Sequence, residues 1–138
     1  MKAIARRFHE RQVTDAPSAI AGLIHEDAEM TLFVTHLRTV YGRESVMAAL
    51  LKGREAEDYS GEVDDCRPID DRKLVVSGQA RYALERGGFS CSRVWWLDEF
   101  RDGLLWRVRA FRTEEKVLRA RRRPSRRSSL TRSRLSVV

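Results

Sequence analysis

An α+β fold is predicted by three features of this 138-residue sequence. Apolar residues recur at helical spacing before about residue 57, apart from one alternating run, and alternate in β-rich runs after it. Two dipeptides, Gly87-Gly88 and Asp102-Gly103, then separate alternating runs from one another and mark hairpins.

Residues 3–13 place Ile4, Ala5, Phe8 and Val13 at near-helical spacing, and Thr14-Asp15-Ala16-Pro17 restarts a second helix through Ile20, Leu23 and Ile24. The run AEMTLFVTHL (28–37) alternates and reads as a strand, and GRESVMAALLKGREAE (42–57) sets Val46, Met47, Leu50 and Leu51 on one helical stripe. Strands near 60–69, 73–85, 89–101 and 104–112 complete an antiparallel meander.

The turns predict a register. With Asp102-Gly103 as a two-residue turn, Glu99 faces Trp106, Leu97 faces Val108 and Trp95 faces Ala110 on one side. On the other, Phe100 faces Leu105, Asp98 faces Arg107, Trp96 faces Arg109 and Val94 faces Phe111. Gly87-Gly88 as a two-residue turn sets Tyr82 against Arg93, Ala80 against Trp95 and Gly78 against Leu97. Leu74, Val76, Gly78, Ala80 and Tyr82 then share the core face with Trp95, Leu97, Trp106 and Val108. A turn at Asp71-Arg72 would set Ile69 against Leu74 and Val63 against Ala80, and a slip of one residue would reverse that strand.

The length suits one domain, expected over 1–118. Eight of the 27 basic residues fall between Arg119 and Val138 with no acid among them, which leaves 19 basic against 20 acidic residues in the rest. The body is neutral, and the Arg/Ser-rich tail, 119–138, raises the isoelectric point. Its charge density and poverty in apolar residues predict disorder, with weak polyanion contact as a by-product. Cys66 and Cys91 have neither CxxC spacing nor the density of a disulfide scaffold, and are expected to be buried thiols. The N-terminus has no apolar signal core, and no run approaches the roughly 20 residues of a membrane span. A cytoplasmic protein without membrane insertion is expected.

The order helix, helix, strand, helix, meander resembles the nuclear-transport-factor-2-like superfamily, and within it the SnoaL-like proteins. The matching stretches are HEDAEMTLFV, GRESVMAAL and FRDGLLWRVRAF, and the likeness covers residues 1 to about 117. It implies a cone-shaped barrel whose curved, mainly antiparallel sheet wraps the N-terminal helices around an internal pocket, and often a dimer through the outer sheet face. Polyketide cyclases, isomerases, epoxide hydrolases and dehydratases share this fold, so the fold does not name a reaction. None of the matching stretches contains a catalytic set that can be carried over.

The polar residues of the expected core face are therefore the site candidates. Asp65 is a candidate base in apolar surroundings, Tyr82 a donor to a developing oxyanion, and Arg93 an anion clamp, with Trp95, Trp106 and Glu99 lining the same pocket beside the small Gly78 and Ala80. Each has an ordinary structural alternative: Tyr82 stacked on Arg93, Arg67 paired with Glu99, Asp65 at a wet edge. His36, on the strand near Thr35-Leu37, is a third candidate for acid-base work, or a solvent-facing strand residue. His9, His25 and His36 lack metal-ligand spacing, and no GxSxG or phosphate-binding glycine loop is present, so neither metal nor cofactor is expected. Two functions remain open. One is a small hydrophobic molecule bound in the pocket, with proton transfer, cyclisation or hydration upon it. The other is a non-catalytic homodimeric or partner-binding module with a filled cavity, whose outer contact face would carry Trp96, Phe100, Leu105 and Phe111.

Overall fold

Four long strands follow the four alternating runs: β3 (Tyr59–Asp70), β4 (Lys73–Ala83), β5 (Phe89–Arg101) and β6 (Leu104–Phe111). They lie in a computed structural model that describes residues 1–122. With β1 (Ile24–Thr31) and the short β2 (Thr39–Tyr41) they form one curved, unclosed sheet in the order β2-β1-β6-β5-β4-β3. All neighbours are antiparallel except β1 and β6, which run parallel, so the sheet is mixed.

Helices α1 (Lys2–Arg11), α2 (Pro17–Ala21) and α3 (Arg43–Ala56) fill the concave side. Proline starts α2, where its missing N–H costs nothing. Phe8, Ile20, Leu50, Leu74, Trp96 and Leu105 are all essentially inaccessible there and form the main core. A fourth helix, α4 (Glu114–Ala120), is capped by the Thr113 hydroxyl, which accepts from the Lys116 N–H at 3.2 Å. It lies on the convex side, where Val117 and Ala120 pack against Val75 and Leu97. Seven residues are too few for a stable isolated helix, and burying Val117 contributes the roughly 2 kcal/mol that holds it down. Ala120 is buried as well, so packed chain continues past residue 118. The rest of the basic tail, 123–138, lies outside the described residues.

The register corrects the sequence-based expectation in three places. β4 presents Leu74, Val76, Gly78, Ala80 and Tyr82 to the core as expected. The connection to β5, however, is a five-residue loop: Ala83 pairs with Phe89, the Leu84 N–H donates to Gly88 O, and the Gly87 N–H donates to Leu84 O. Three extra loop residues are an odd number, and an odd shift turns the next strand over. Val94, Trp96, Asp98 and Phe100 therefore face the concave core, and Arg93, Trp95, Leu97 and Glu99 face outward.

The Asp102-Gly103 turn sits where expected, with Arg101 opposite Leu104 and Phe100 opposite Leu105. An extra residue, Trp106, then bulges out of β6, so that Glu99 pairs with Arg107, Asp98 with Val108 and Trp96 with Ala110. Trp96, Phe100 and Leu105, expected on an outer dimer face, are instead core residues at 1%, 5% and 0% exposure. Only Phe111 of that set lies on the convex side, half-buried.

In β3 the Asp71-Arg72 turn is also correct, but irregularities between Val63 and Asp65 and between Pro68 and Asp70 slip the strand twice. Ile69 does not meet Leu74, since Pro68 takes that place, and Val63 meets Gly78 rather than Ala80. The early strand begins sooner than expected and ends at Thr31. Phe33–Thr35 form a single 3-10 turn closed by His36 and Leu37, both left-handed at φ 55° and 61°. Among the described residues no helix is long and apolar enough to cross a membrane. Cys66 is buried as expected, whereas Cys91 is exposed on β5.

Candidate functional site

Helix spacing and strand alternation together deliver a histidine and a carboxylate to the centre of the concave core. Along α1, Ala5, Phe8, His9 and the following Gln12 fall on the buried stripe. Along β5, Asp98 takes the inward place between Trp96 and Phe100. His9 Nε2 lies 2.8 and 3.0 Å from the two carboxylate oxygens of Asp98, and both side chains are fully inaccessible. The imidazole stacks on Trp96, with ring centroids 4.2 Å apart at 25°, and meets Phe8 edge-on.

Two ionisable groups in such a place are tolerated only as a pair, because either one alone forfeits its hydration without replacement. A carboxylate accepts, so Nε2–H donates, and Nδ1 is left as the free position of the ring. Nδ1 is buried and, among the described residues, has no hydrogen-bond partner. The hydroxyl of Tyr59, at the start of β3, is likewise buried without one. Burial, and after it the negative charge of Asp98, push the Tyr59 phenol well above its ordinary pKa, so it stays a neutral donor. Gly61 lets the Tyr59 hydroxyl and the α1 backbone pack closely here: a Cβ there would stand 2.6 Å from the Tyr59 hydroxyl and 2.8 Å from His9 O.

The rotation of α1 that points His9 inward is held from outside. Arg6 donates to Val63 O at 3.1 Å, and Glu10 accepts from the Val63 N–H at 2.9 Å, so successive turns of α1 grip both backbone groups at the irregularity in β3. Nearby Cys66 has its thiol pKa raised chiefly by burial, with Arg6 opposing and Asp98 adding to the rise. An imidazole fixed by a carboxylate, with a free ring nitrogen and a neutral phenol in the same core, has the parts for general acid-base chemistry and oxyanion stabilisation. Among the described residues no group of three or more His, Cys, Asp or Glu side chains could hold a metal ion.

The residues expected from sequence are not brought together. Asp65 is exposed on β3 opposite Ser77, turned outward by the irregularity at Val63. Arg93 is exposed on the convex side, where it pairs with Asp64 and reaches over Trp95. Trp95 belongs to the convex cluster under α4. Glu99 is buried on the same face between Arg107 and Arg109, at 3.6 and 3.3 Å. Trp106 is the bulged residue of β6 and lies beneath Arg101, whose guanidinium carbon is 3.8 Å from the ring centroid. His36 is half-buried at the end of the 3-10 turn and not on a strand.

Tyr82 alone is concave and buried. It stacks on Phe33 at 4.6 Å, shares a hydrogen bond with Ser92 at 3.3 Å and receives one from Arg112 at 3.5 Å. Burial alone would raise its pKa, but the hydrogen bonds from Ser92, Arg112 and Ser90 and the Arg112 charge outweigh it, and the net direction is down. Gly78 does not leave room for a ligand either, since the space over it is taken by the Glu62 carbonyl, which a Cβ would strike.

His9 and Asp98 were missed for identifiable reasons. His9 and Gln12 sit on the stripe of Ala5 and Phe8, and polar residues on a buried stripe are the available signal. Asp98 interrupts the apolar alternation Val94, Trp96, Phe100, but that pattern is visible only once the β4–β5 loop length is known.

No family model matches the sequence, and no curated protein matches it in sequence. Solved structures match it in fold. A "putative polyketide cyclase" from Sinorhizobium meliloti aligns with a TM-score of 0.65 at 13% identity, covering 80% of this chain and 95% of that one. TerC co-crystallised with polyporic acid aligns at 0.62 and 15% identity, over 86% and 94% of the two chains. A protein with a ketosteroid-isomerase-like fold from Catenulispora acidiphila DSM 44928, in complex with trimethylamine, aligns at 0.61 and 10% identity, over 80% and 85%. An NTF2-like protein of unknown function from Cytophaga hutchinsonii ATCC 33406 aligns at 0.59.

Proposed function

We propose that this chain, which has the nuclear-transport-factor-2-like fold, binds a small hydrophobic molecule on the concave side of its sheet and moves a proton upon it without metal or cofactor. The observation that carries this reading is the sealed His9–Asp98 pair with a free Nδ1. Burying an imidazole and a carboxylate together contributes less to stability than an apolar pair of equal volume, which favours a chemical role over a structural one. In this reading His9 Nδ1 takes or returns the proton, Asp98 fixes the ring and stabilises the imidazolium, and Tyr59 donates to the oxygen that gains charge. Two structural neighbours are described with small molecules bound, polyporic acid in one and trimethylamine in the other, which supports ligand binding as a use of this fold.

The test begins with a thermal-shift screen of the full chain against hydrophobic ketones, lactones and epoxides, followed by turnover of any stabilising compound. His9→Gln is expected to lower turnover by about 10²–10⁴-fold, the contribution of a positioned acid or base, while leaving the unfolding transition cooperative. Equal turnover in wild type and His9→Gln would sink the reading.

A second reading, the non-catalytic module, draws on the tight packing of Phe8, Trp96 and Leu105 around the pair. Its contact face would be the convex one, where Ile69, Trp95, Phe111 and Leu118 are only partly covered. A dimer in solution with no response to any compound in the screen would favour it.

A further inference from the structure

On the opposite side of the sheet from His9, α4 and the ends of β1 and β6 enclose a cleft of about 380 Å³, a volume in the range of small-molecule sites. Three cationic side chains, Arg109, Lys116 and Arg119, converge on it, and among the described residues no carboxylate lines it. The convergence follows from the secondary structure. Parallel pairing of β1 with β6 sets Thr31 beside Arg109, and spacing of three along α4 puts Lys116 and Arg119 on one side while Val117 and Ala120 dock.

The local counter-charge is already committed. Glu99 is shared between Arg107 and Arg109, Arg107 also holds Glu29 at 3.2 Å, and Arg119 pairs with the exposed Glu115. Arg109 therefore shares its carboxylate, and among the described residues its buried Nε has no hydrogen-bond partner. Burial, and after it the charge of Arg107, push its pKa down against the opposing pull of Glu99 and Glu29.

We propose that this cleft is a binding site for a small amphiphilic anion, its carboxylate or phosphate held by Arg109, Lys116 and Arg119 and its apolar part laid on Phe111 and Ala120. Charge-assisted hydrogen bonds from a half-buried guanidinium are the strong kind, and a planar headgroup suits the fork of Arg109. The Thr31 hydroxyl, 2.8 Å from that of Thr39, stands at the same rim. This site is separate from the concave one and does not depend on His9.

The test is calorimetric titration of the full chain with octanoate, octyl phosphate and octanol. Both anions are expected to bind, octanol not, and added salt to weaken the anions. Substituting Arg109 would strip Glu99 of a partner and endanger the fold, so the variant is Lys116→Gln/Arg119→Gln, at two exposed positions. It is expected to lose at least about tenfold in affinity for both anions with its unfolding temperature unchanged, whereas His9→Gln keeps the affinity of wild type. Failure of wild type to bind either anion, unaltered affinity in the double variant, or loss of binding in His9→Gln alone would each overturn the cleft. Only the last would point to the concave side.

Discussion

Asp98 and Glu99 are neighbours on one strand, both buried, and the alternation of β5 sends them to opposite faces of the sheet. Asp98 meets one partner, His9, in the concave core, and that partner can be neutral. Glu99 meets two guanidiniums on the convex face, and neither of those can be. The concave pair thus includes a side chain with a neutral form at hand. The guanidiniums of the convex cluster have none, so the charges of Arg107, Arg109, Glu99 and Glu29 persist and must be balanced against one another. A histidine–carboxylate pair and an arginine–carboxylate cluster are divided between faces by one residue of sequence.

The largest effect expected from breaking this contrast is on stability at Glu99. Glu99→Gln leaves two adjacent guanidiniums without their shared carboxylate. It is expected to cost about 3 kcal/mol, near the lower end for a broken buried ion pair, because Arg107 and Arg109 keep 14% and 19% side-chain exposure. Asp98→Asn removes a charge whose partner can remain neutral, and should cost about 1–2 kcal/mol, the scale of a lost charged hydrogen bond. Urea midpoints of the two variants give the order. If Asp98→Asn proves the more damaging, the contrast between the faces fails.

The smallest effect sharpens the concave side alone. Because folding raises the Tyr59 pKa, the native state binds this proton more tightly than the unfolded chain, for which the ordinary value is 10.0. The stability it contributes is complete below that value and is lost as pH rises beyond it. Urea stability of wild type should therefore fall more steeply than that of Tyr59→Phe above about pH 10. In an ultraviolet titration the Tyr82 phenol, shifted down, should ionise before Tyr59. Parallel losses in the two proteins would place the Tyr59 hydroxyl in contact with water.

Much of the fold was legible because its signals are local. The limits of β3 to β6 fall within about two residues of the alternating runs, and the Asp71-Arg72 and Asp102-Gly103 turns sit where short-range chemistry places them. α1 and α3 follow their apolar stripes. Gly87-Gly88 misled because both glycines do take positive φ, 98° and 77°, as hairpin glycines should, but at the end of a longer loop. The bulge at Trp106 carries no glycine to announce it. α4 and β2 are too short for a periodic signal, and each exists because of what it packs or pairs with.

The site was less legible, for the same reason enlarged. The sequence alone determined that β4 has an apolar face and that α1 carries an apolar stripe through Ala5 and Phe8. Only the tertiary structure decided which of Asp98 and Glu99 faces inward, since that rests on whether a loop and a bulge add an odd number of residues. It also decided that His9 and Asp98, 89 residues apart, meet at all. Periodicity is set by each residue's own backbone and can be read one segment at a time, whereas facing and partnership are properties of pairs of segments and appear only when the chain has closed upon itself.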